Sequence, residues 1–149
     1  MDKIAYIVWK EEFGVGYEEL DAQHKYMFGL INELFAAIRE GHEAEKVKQI
    51  IDGAVDYSRR HFADEERIML QCGFPQFSSH KQIHDHYSQK INELMTDYRG
   101  RFGGVSSELL QFLKAWWLSH ILKMDKEYAP HLAKEQNQRA PSRQDIGPE

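Results

Sequence analysis

The sequence predicts an all-α fold, an antiparallel up-down-up-down four-helix bundle with an extended N-terminal arm, and three observations carry the prediction. Apolar residues recur at steps of three and four in four blocks. The blocks are similar in length, about 22 to 29 residues each. The connections between them are short and hold the turn formers, and short connections between long helices force neighbours to run antiparallel.

Taken in order, residues 1–17 form the arm, whose Trp9, Phe13 and Val15 are placed to lie against the bundle. The first helix runs from Glu18 to Glu40 with His24, Met27, Phe28, Ile31, Leu34, Phe35 and Ile38 on its apolar stripe, and Gly41 ends it. The second runs from about Glu43 to Gln71 through Val47, Ile50, Ala54, Tyr57, His61, Glu65, Ile68 and Met69, and stops at Gly73 and Pro75. The third starts near Gln76, where Ser78 or Ser79 helps to cap it. It carries Phe77, His80, His84, Tyr87, Ile91, Leu94 and Tyr98, and Gly100, Gly103 and Gly104 close it. The fourth opens at Ser106 or Ser107, with Glu108 favouring the positive helix end. It passes through Leu109, Leu113, Trp116, Trp117, His120, Ile121 and Met124 to about Tyr128, just before Pro130. The bundle and arm thus span 1–133, and residues 134–149, polar with two prolines, read as a disordered tail.

A chain of 149 residues is one domain in size and buries about two-thirds of its unfolded surface on folding. Its 42% hydrophobic and 29% charged residues exclude collagenous and membrane-spanning classes. With 24 acidic against 19 basic residues and no basic cluster, there is no electrostatic footprint for nucleic acid or an anionic membrane. No run of 18 apolar residues occurs, Met1 to Trp9 does not read as a secretory signal, and the single Cys72 forms no disulfide framework. The expected address is the cytoplasm. Eight histidines beside one cysteine mean that any bound metal is held by nitrogen and oxygen.

Five of those histidines, His24, His61, His80, His84 and His120, sit on stripes that face the core, which is costly without partners. His61 and Glu65 are i, i+4, as are His80 and His84, so each pair lies one turn apart on one face. His120 and Asp125 are i, i+5, about 140° apart on an ideal helix, and they reach a common point only from either flank or through a π-type bulge. Counted from the helix ends, all seven side chains lie within about 5–15 Å of one end of an antiparallel bundle at 1.5 Å per residue. An apolar core does not satisfy so many polar groups. Seven donors are too many for one ion and suit two if the carboxylates bridge. Imidazole with carboxylate and no thiolate suits iron, manganese, zinc or copper.

The ordered set His24, His61-x-x-x-Glu65, His80-x-x-x-His84 and His120-x-x-x-x-Asp125 resembles the ligand signature of the hemerythrins. Leu20 to Phe28 (LDAQHKYMF), Gly73-Phe74-Pro75, and Trp116 to Ile121 with Asp125 are similar to bacterial single-domain members, the bacteriohemerythrins. The resemblance implies a non-haem di-iron site, two iron ions with an oxo or hydroxo bridge, that binds dioxygen reversibly. One iron takes His80, His84 and His120. The other takes His24 and His61 and has the vacancy for dioxygen, while Glu65 and Asp125 bridge. It implies an oxygen carrier or store and not an enzyme: a histidine-rich shell stabilises higher-valent iron less than a carboxylate-rich one, and the Glu-x-x-His pair of ferritin-like di-iron enzymes is absent. The alternative is a sensor of oxygen, nitric oxide or redox state acting through a partner protein. The chain spends its length on one bundle, which favours carriage, and the sequence names no protein partner.

One departure stands out. The family pattern ahead of the fourth-helix histidine is Trp-Leu-x-x-His, whereas Trp116, Trp117, Leu118 and Ser119 precede His120 here. Phe62, Trp116, Trp117 and Ile121 are therefore the expected walls of an oxygen pocket, with Trp117 narrowing it. His42, His86 and His131 read as surface histidines and Cys72 as a buried small hydrophobe. Asp56, Asp64 and Glu66 read as solvated carboxylates. Gly14-x-Gly16 lacks the third glycine of a dinucleotide loop.

Overall fold

The computed structural model describes residues 5–42, 44–100 and 102–132; the tail expected over 134–149 lies outside the described residues. Four helices follow the arm: α1 Glu18–Arg39, α2 Ala44–Gln71, α3 Phe77–Gly100 and α4 Phe102–Ser119. The fourth runs on through a π-helical turn, His120–Asp125, into helical residues 126–132. α1 packs against α2 and α4, and α3 packs against the same two, which is the cyclic arrangement of an up-down-up-down bundle.

Gly41 and Gly73 end α1 and α2 as expected, and both adopt positive φ, 71° and 70°, where a Cβ is strained. Each stop shows the paired bonds of a Schellman motif: Gly41 N–H to Ile38 C=O (3.2 Å) with His42 N–H to Ala37 C=O (3.0 Å), and Gly73 N–H to Leu70 C=O (3.2 Å) with Phe74 N–H to Met69 C=O (3.0 Å). The start of α4 differs from expectation. It begins at Phe102 and not at Ser106 or Ser107, so Gly103 and Gly104 lie inside it. They occupy its first turn, where the backbone N–H groups have no intrahelical partner and glycine costs only its extra backbone entropy. The helix also continues past Pro130 to residue 132. One bond is lost at the proline, and burial of Leu132 beside Tyr128 offsets it.

The arm is docked by side-chain bonds that apolar periodicity does not reveal. Asn32 on α1 accepts from the N–H groups of Tyr6 (2.8 Å) and Ile7 (2.9 Å) and donates to the carbonyl of Ile7 (2.9 Å), as a neighbouring strand does. Asp21 accepts from the N–H groups of Val15 (2.8 Å) and Gly16 (3.3 Å), where φ is +80°. Phe13 and Val15 are buried as expected, together with Ile7, and Trp9 meets Phe13 and Phe28 edge-on.

The buried apolar side chains form two clusters. The larger holds Met27, Phe28, Ile31, Leu34, Ile51, Phe62, Tyr87, Ile91, Leu113, Trp117 and Ile121 among others. The smaller holds Val15, Leu20, Ile68, Met69, Phe74, Tyr128 and Leu132. On α1, His24 falls in register between Leu20 of one cluster and Met27 of the other. On the fourth helix, Asp125 falls between Ile121 and Tyr128 in the same way. A polar layer thus crosses the bundle with an apolar wall on either side.

Candidate metal centre

All seven side chains predicted from the spacing come together in that layer, and each is at least 98% removed from solvent. α1 supplies His24, α2 supplies His61 and Glu65 one turn apart, α3 supplies His80 and His84 likewise, and the π turn supplies His120 and Asp125. That turn answers the phase problem of an i, i+5 pair. With i to i+5 bonding, the fifth residue stacks over the first, and His120 Nε2 lies 3.0 Å from Asp125 Oδ1.

The nitrogens form two groups. The Nε2 atom of His120 is 3.1 Å from Nε2 of both His80 and His84. The Nε2 atoms of His24 and His61 are 3.1 Å apart. Each carboxylate spans the two groups with its two oxygens. Glu65 Oε1 lies 2.8 Å from His84 and 3.1 Å from His80, while Oε2 lies 3.3 Å from His61. Asp125 Oδ1 lies 3.2 Å from His80 and 3.0 Å from His120, while Oδ2 lies 3.1 Å from His24. Glu65 belongs to both candidate metal-holding groups among the described residues, Glu65 with His80, His84 and His120, and His24 with His61 and Glu65.

The donor set fits metal ions better than it fits a hydrogen-bond network. Lone pairs converge on lone pairs, and neither oxygen of buried Asp125 has a hydrogen-bond partner. Two nitrogens at right angles on an ion about 2.1 Å away lie about 3.0 Å apart, which is the spacing within both nitrogen groups. Without an ion, protons take its place. Burial opposes a cation at His24, His80 and His120, yet the close approach and negative charge of Asp125 and Glu65 overcome it and push each imidazole up to about 9. At His61 burial wins and the pKa is lowered despite Glu65. Burial raises and the histidines lower the two carboxylates, and the histidines prevail, holding Glu65 and Asp125 below the usual carboxylate range.

Sequence reasoning missed four groups around the layer. Tyr128 is fully buried and donates its hydroxyl to Glu65 Oε2 at 2.8 Å, with burial and both carboxylates pushing its own pKa well up. Its only signal was helical phase, three residues after Asp125. Glu66 is not simply solvated: its Oε2 accepts from His84 Nδ1 at 2.8 Å. Asp64 Oδ2 accepts from Gln23 Nε2 at 2.9 Å, and Gln23 Oε1 accepts from His61 Nδ1 at 2.6 Å. The expectation that Asp64 and Glu66 point only to water is corrected here, because partners on neighbouring helices claim them. Asp56 is exposed beside Arg59, as expected.

Of the four aromatic and aliphatic residues read as pocket walls, Trp117, Phe62 and Ile121 are buried and Trp116 is half-buried. Trp117 faces the two-histidine group, with ring centroids 5.5 Å from His61 and 6.4 Å from His24. Its Nε1–H donates to the oxygen of Tyr87 (3.3 Å), whose hydroxyl shares a bond with Ser58 (2.9 Å). Trp116 instead stacks on His120 at 4.3 Å, and Phe62 stacks on His84 at 4.0 Å. His86 is exposed and His42 pairs with Glu40 at the surface, but His131 is half-buried against Phe74, and Cys72 is half-buried.

Comparison with known proteins agrees with this centre. The family described as "Hemerythrin HHE cation binding domain" matches residues 15–132. The chain is 32% identical to a bacteriohemerythrin of Stenotrophomonas maltophilia (strain R551-3), over 97% of this chain and 93% of that one. It is also 32% identical to a bacteriohemerythrin of Methylococcus capsulatus (strain ATCC 33009 / NCIMB 11132 / Bath), over 87% and 99%. The crystal structure of a wild-type hemerythrin superposes with a TM-score of 0.79 at 30% identity, covering 86% of this chain and 98% of that one. No helix among the described residues is long and apolar enough to cross a membrane. Matched along its helices and around its buried histidine and carboxylate layer, the chain belongs to the hemerythrin family.

Proposed function

We propose that this protein binds dioxygen reversibly at a di-iron centre and serves as an oxygen carrier or store. The observation that carries the reading is the pair of nitrogen groups, three imidazoles and two, each spanned by both carboxylates. His80, His84 and His120 would hold one iron and His24 and His61 the other, with Glu65 and Asp125 shared between them. When bound, the two ions supply one electron each to dioxygen and recover them on release.

The residues of the chain make that exchange reversible. The group with two imidazoles has one nitrogen donor fewer, and Trp117 is the ring that packs against both of them. Trp117 beside the two-histidine group, with Phe62, Trp116 and Ile121 packed around the layer, would keep water out and so withhold the protons that O–O cleavage requires. Tyr87 holds the Trp117 indole through its N–H. Tyr128, hydrogen-bonded to Glu65, fixes the bridging carboxylate without offering a proton, since its pKa is held far above neutral. A shell of five imidazoles favours carriage over catalysis. The cytoplasm, where a single thiol stays reduced, suits such a protein.

The test is an absorption spectrum of the iron-loaded protein, reduced without air, aerated, then purged with inert gas. A charge-transfer band that appears and vanishes over repeated cycles is expected. Prompt irreversible oxidation points to a sensor or an enzyme and contradicts carriage.

A further inference from the structure

His84 and His61 differ from the other three buried imidazoles in what their outward ring nitrogens meet. His84 Nδ1–H donates to the carboxylate of Glu66 at 2.8 Å, and His61 Nδ1–H donates to the amide oxygen of Gln23 at 2.6 Å. The Nδ1 atoms of His24, His80 and His120 are buried without a partner. One imidazole of the three-histidine group thus leans on a full charge, and one of the two-histidine group leans on a neutral amide. Glu66 directly follows Glu65, so one turn of α2 aims a carboxylate into the layer and the next carboxylate at the outer edge of a histidine on α3. Glu66 is 19% exposed and is ordered by its bond to His84.

We infer that Glu66 is a positioning residue that tunes one half of the centre. It fixes His84 in the tautomer whose bare Nε2 points into the layer, and its charge makes that imidazole the strongest nitrogen donor of the five. A carboxylate accepting the outer N–H pulls the proton toward itself and raises the basicity of the opposite nitrogen. An amide oxygen orients the ring in the same way but carries no charge, so Gln23 orients His61 without strengthening it to the same degree. The half of the centre served by His80, His84 and His120 therefore holds oxidised metal more firmly than the half served by His24 and His61. The inference rests on the metal-centre reading above.

The charge and the hydrogen bond are separable by substitution. Glu66→Gln keeps an acceptor and removes the charge, and Glu66→Ala removes both. Metal content, apparent metal affinity and reduction potential are measured on the iron-loaded full chain, and exchangeable imidazole N–H resonances on the cobalt-loaded chain. Glu66→Gln is expected to retain metal, raise the potential and move the His84 N–H resonance. Glu66→Ala is expected to lose about 10- to 100-fold in affinity. A role confined to tying α2 to α3 predicts metal-loaded Glu66→Gln with the potential and resonance of the unsubstituted chain, and that result overturns the inference while leaving the centre intact. Failure of the unsubstituted chain to take up metal overturns the centre and the inference together.

Discussion

Glu65 and Asp125 do the same geometric job, but the protein holds them differently. Glu65 receives a hydrogen bond from Tyr128, whereas Asp125 meets only imidazole nitrogens, so an ion or a set of protons must secure it. Tyr128→Phe is expected to lower the stability of the metal-free protein by about 1.5–3 kcal/mol, the range for a bond to a charged acceptor, as read by denaturant titration. Trp117→Leu, which opens space beside His24 and His61, is expected to speed autoxidation severalfold and to change the rate of oxygen release; stopped-flow spectra with both rates unchanged reject the pocket role. Single residues were readable in the sequence to unequal degrees. The five histidines announced themselves because a polar group on an apolar stripe is anomalous within its own helix. Gln23, Asp64 and Glu66 did not, since each owes its role to a partner on another helix and lies off the stripe.

The π turn is the element that closes the centre. It behaves as one residue inserted into a regular helix, so removing one restores the i, i+4 spacing and leaves everything beyond it in phase. Deletion of the exposed Leu122 is therefore expected to leave metal uptake intact, whereas deletion of Ala115, in the regular part of α4, turns His120 and Asp125 together away from the other helices and abolishes it. Elemental analysis of the two purified chains distinguishes these outcomes. The arm is held as specifically. Asn32→Ala removes three part-buried bonds to Tyr6 and Ile7 and is expected to cost about 2–3 kcal/mol in a denaturant titration. Helix ends at Gly41 and Gly73 were readable because glycine's freedom matters most where φ turns positive. The start of α4 was not, because the same residue is cheap inside a first turn, and glycines alone do not say which side of the boundary they occupy.

Across the bundle, five imidazoles and two carboxylates sit between two apolar clusters, and their protons govern how the metal-free protein responds to pH. His24, His80 and His120 are raised from 6.5 to about 9, so their contribution is full below 6.5 and fades as pH climbs through 9. His61 is lowered, so its contribution is lost as pH falls below 6.5. The depressed carboxylates lose theirs in stronger acid. The chelator-treated protein is expected to be most stable near pH 6.5 and to melt at progressively lower temperature toward pH 9. The stabilisation gained on adding metal rises over the same interval, because the ions displace those protons. That seven side chains share one depth followed from counting residues to the helix ends, and their sorting into three and two required the tertiary structure. The most direct test of reversible oxygen binding is a mole count on the reduced, iron-loaded chain. Two irons and one dioxygen per chain, with the gas recovered in full on purging over repeated cycles, is the predicted result. Dioxygen consumed and not returned, or fewer than two irons at full oxygen uptake, contradicts it.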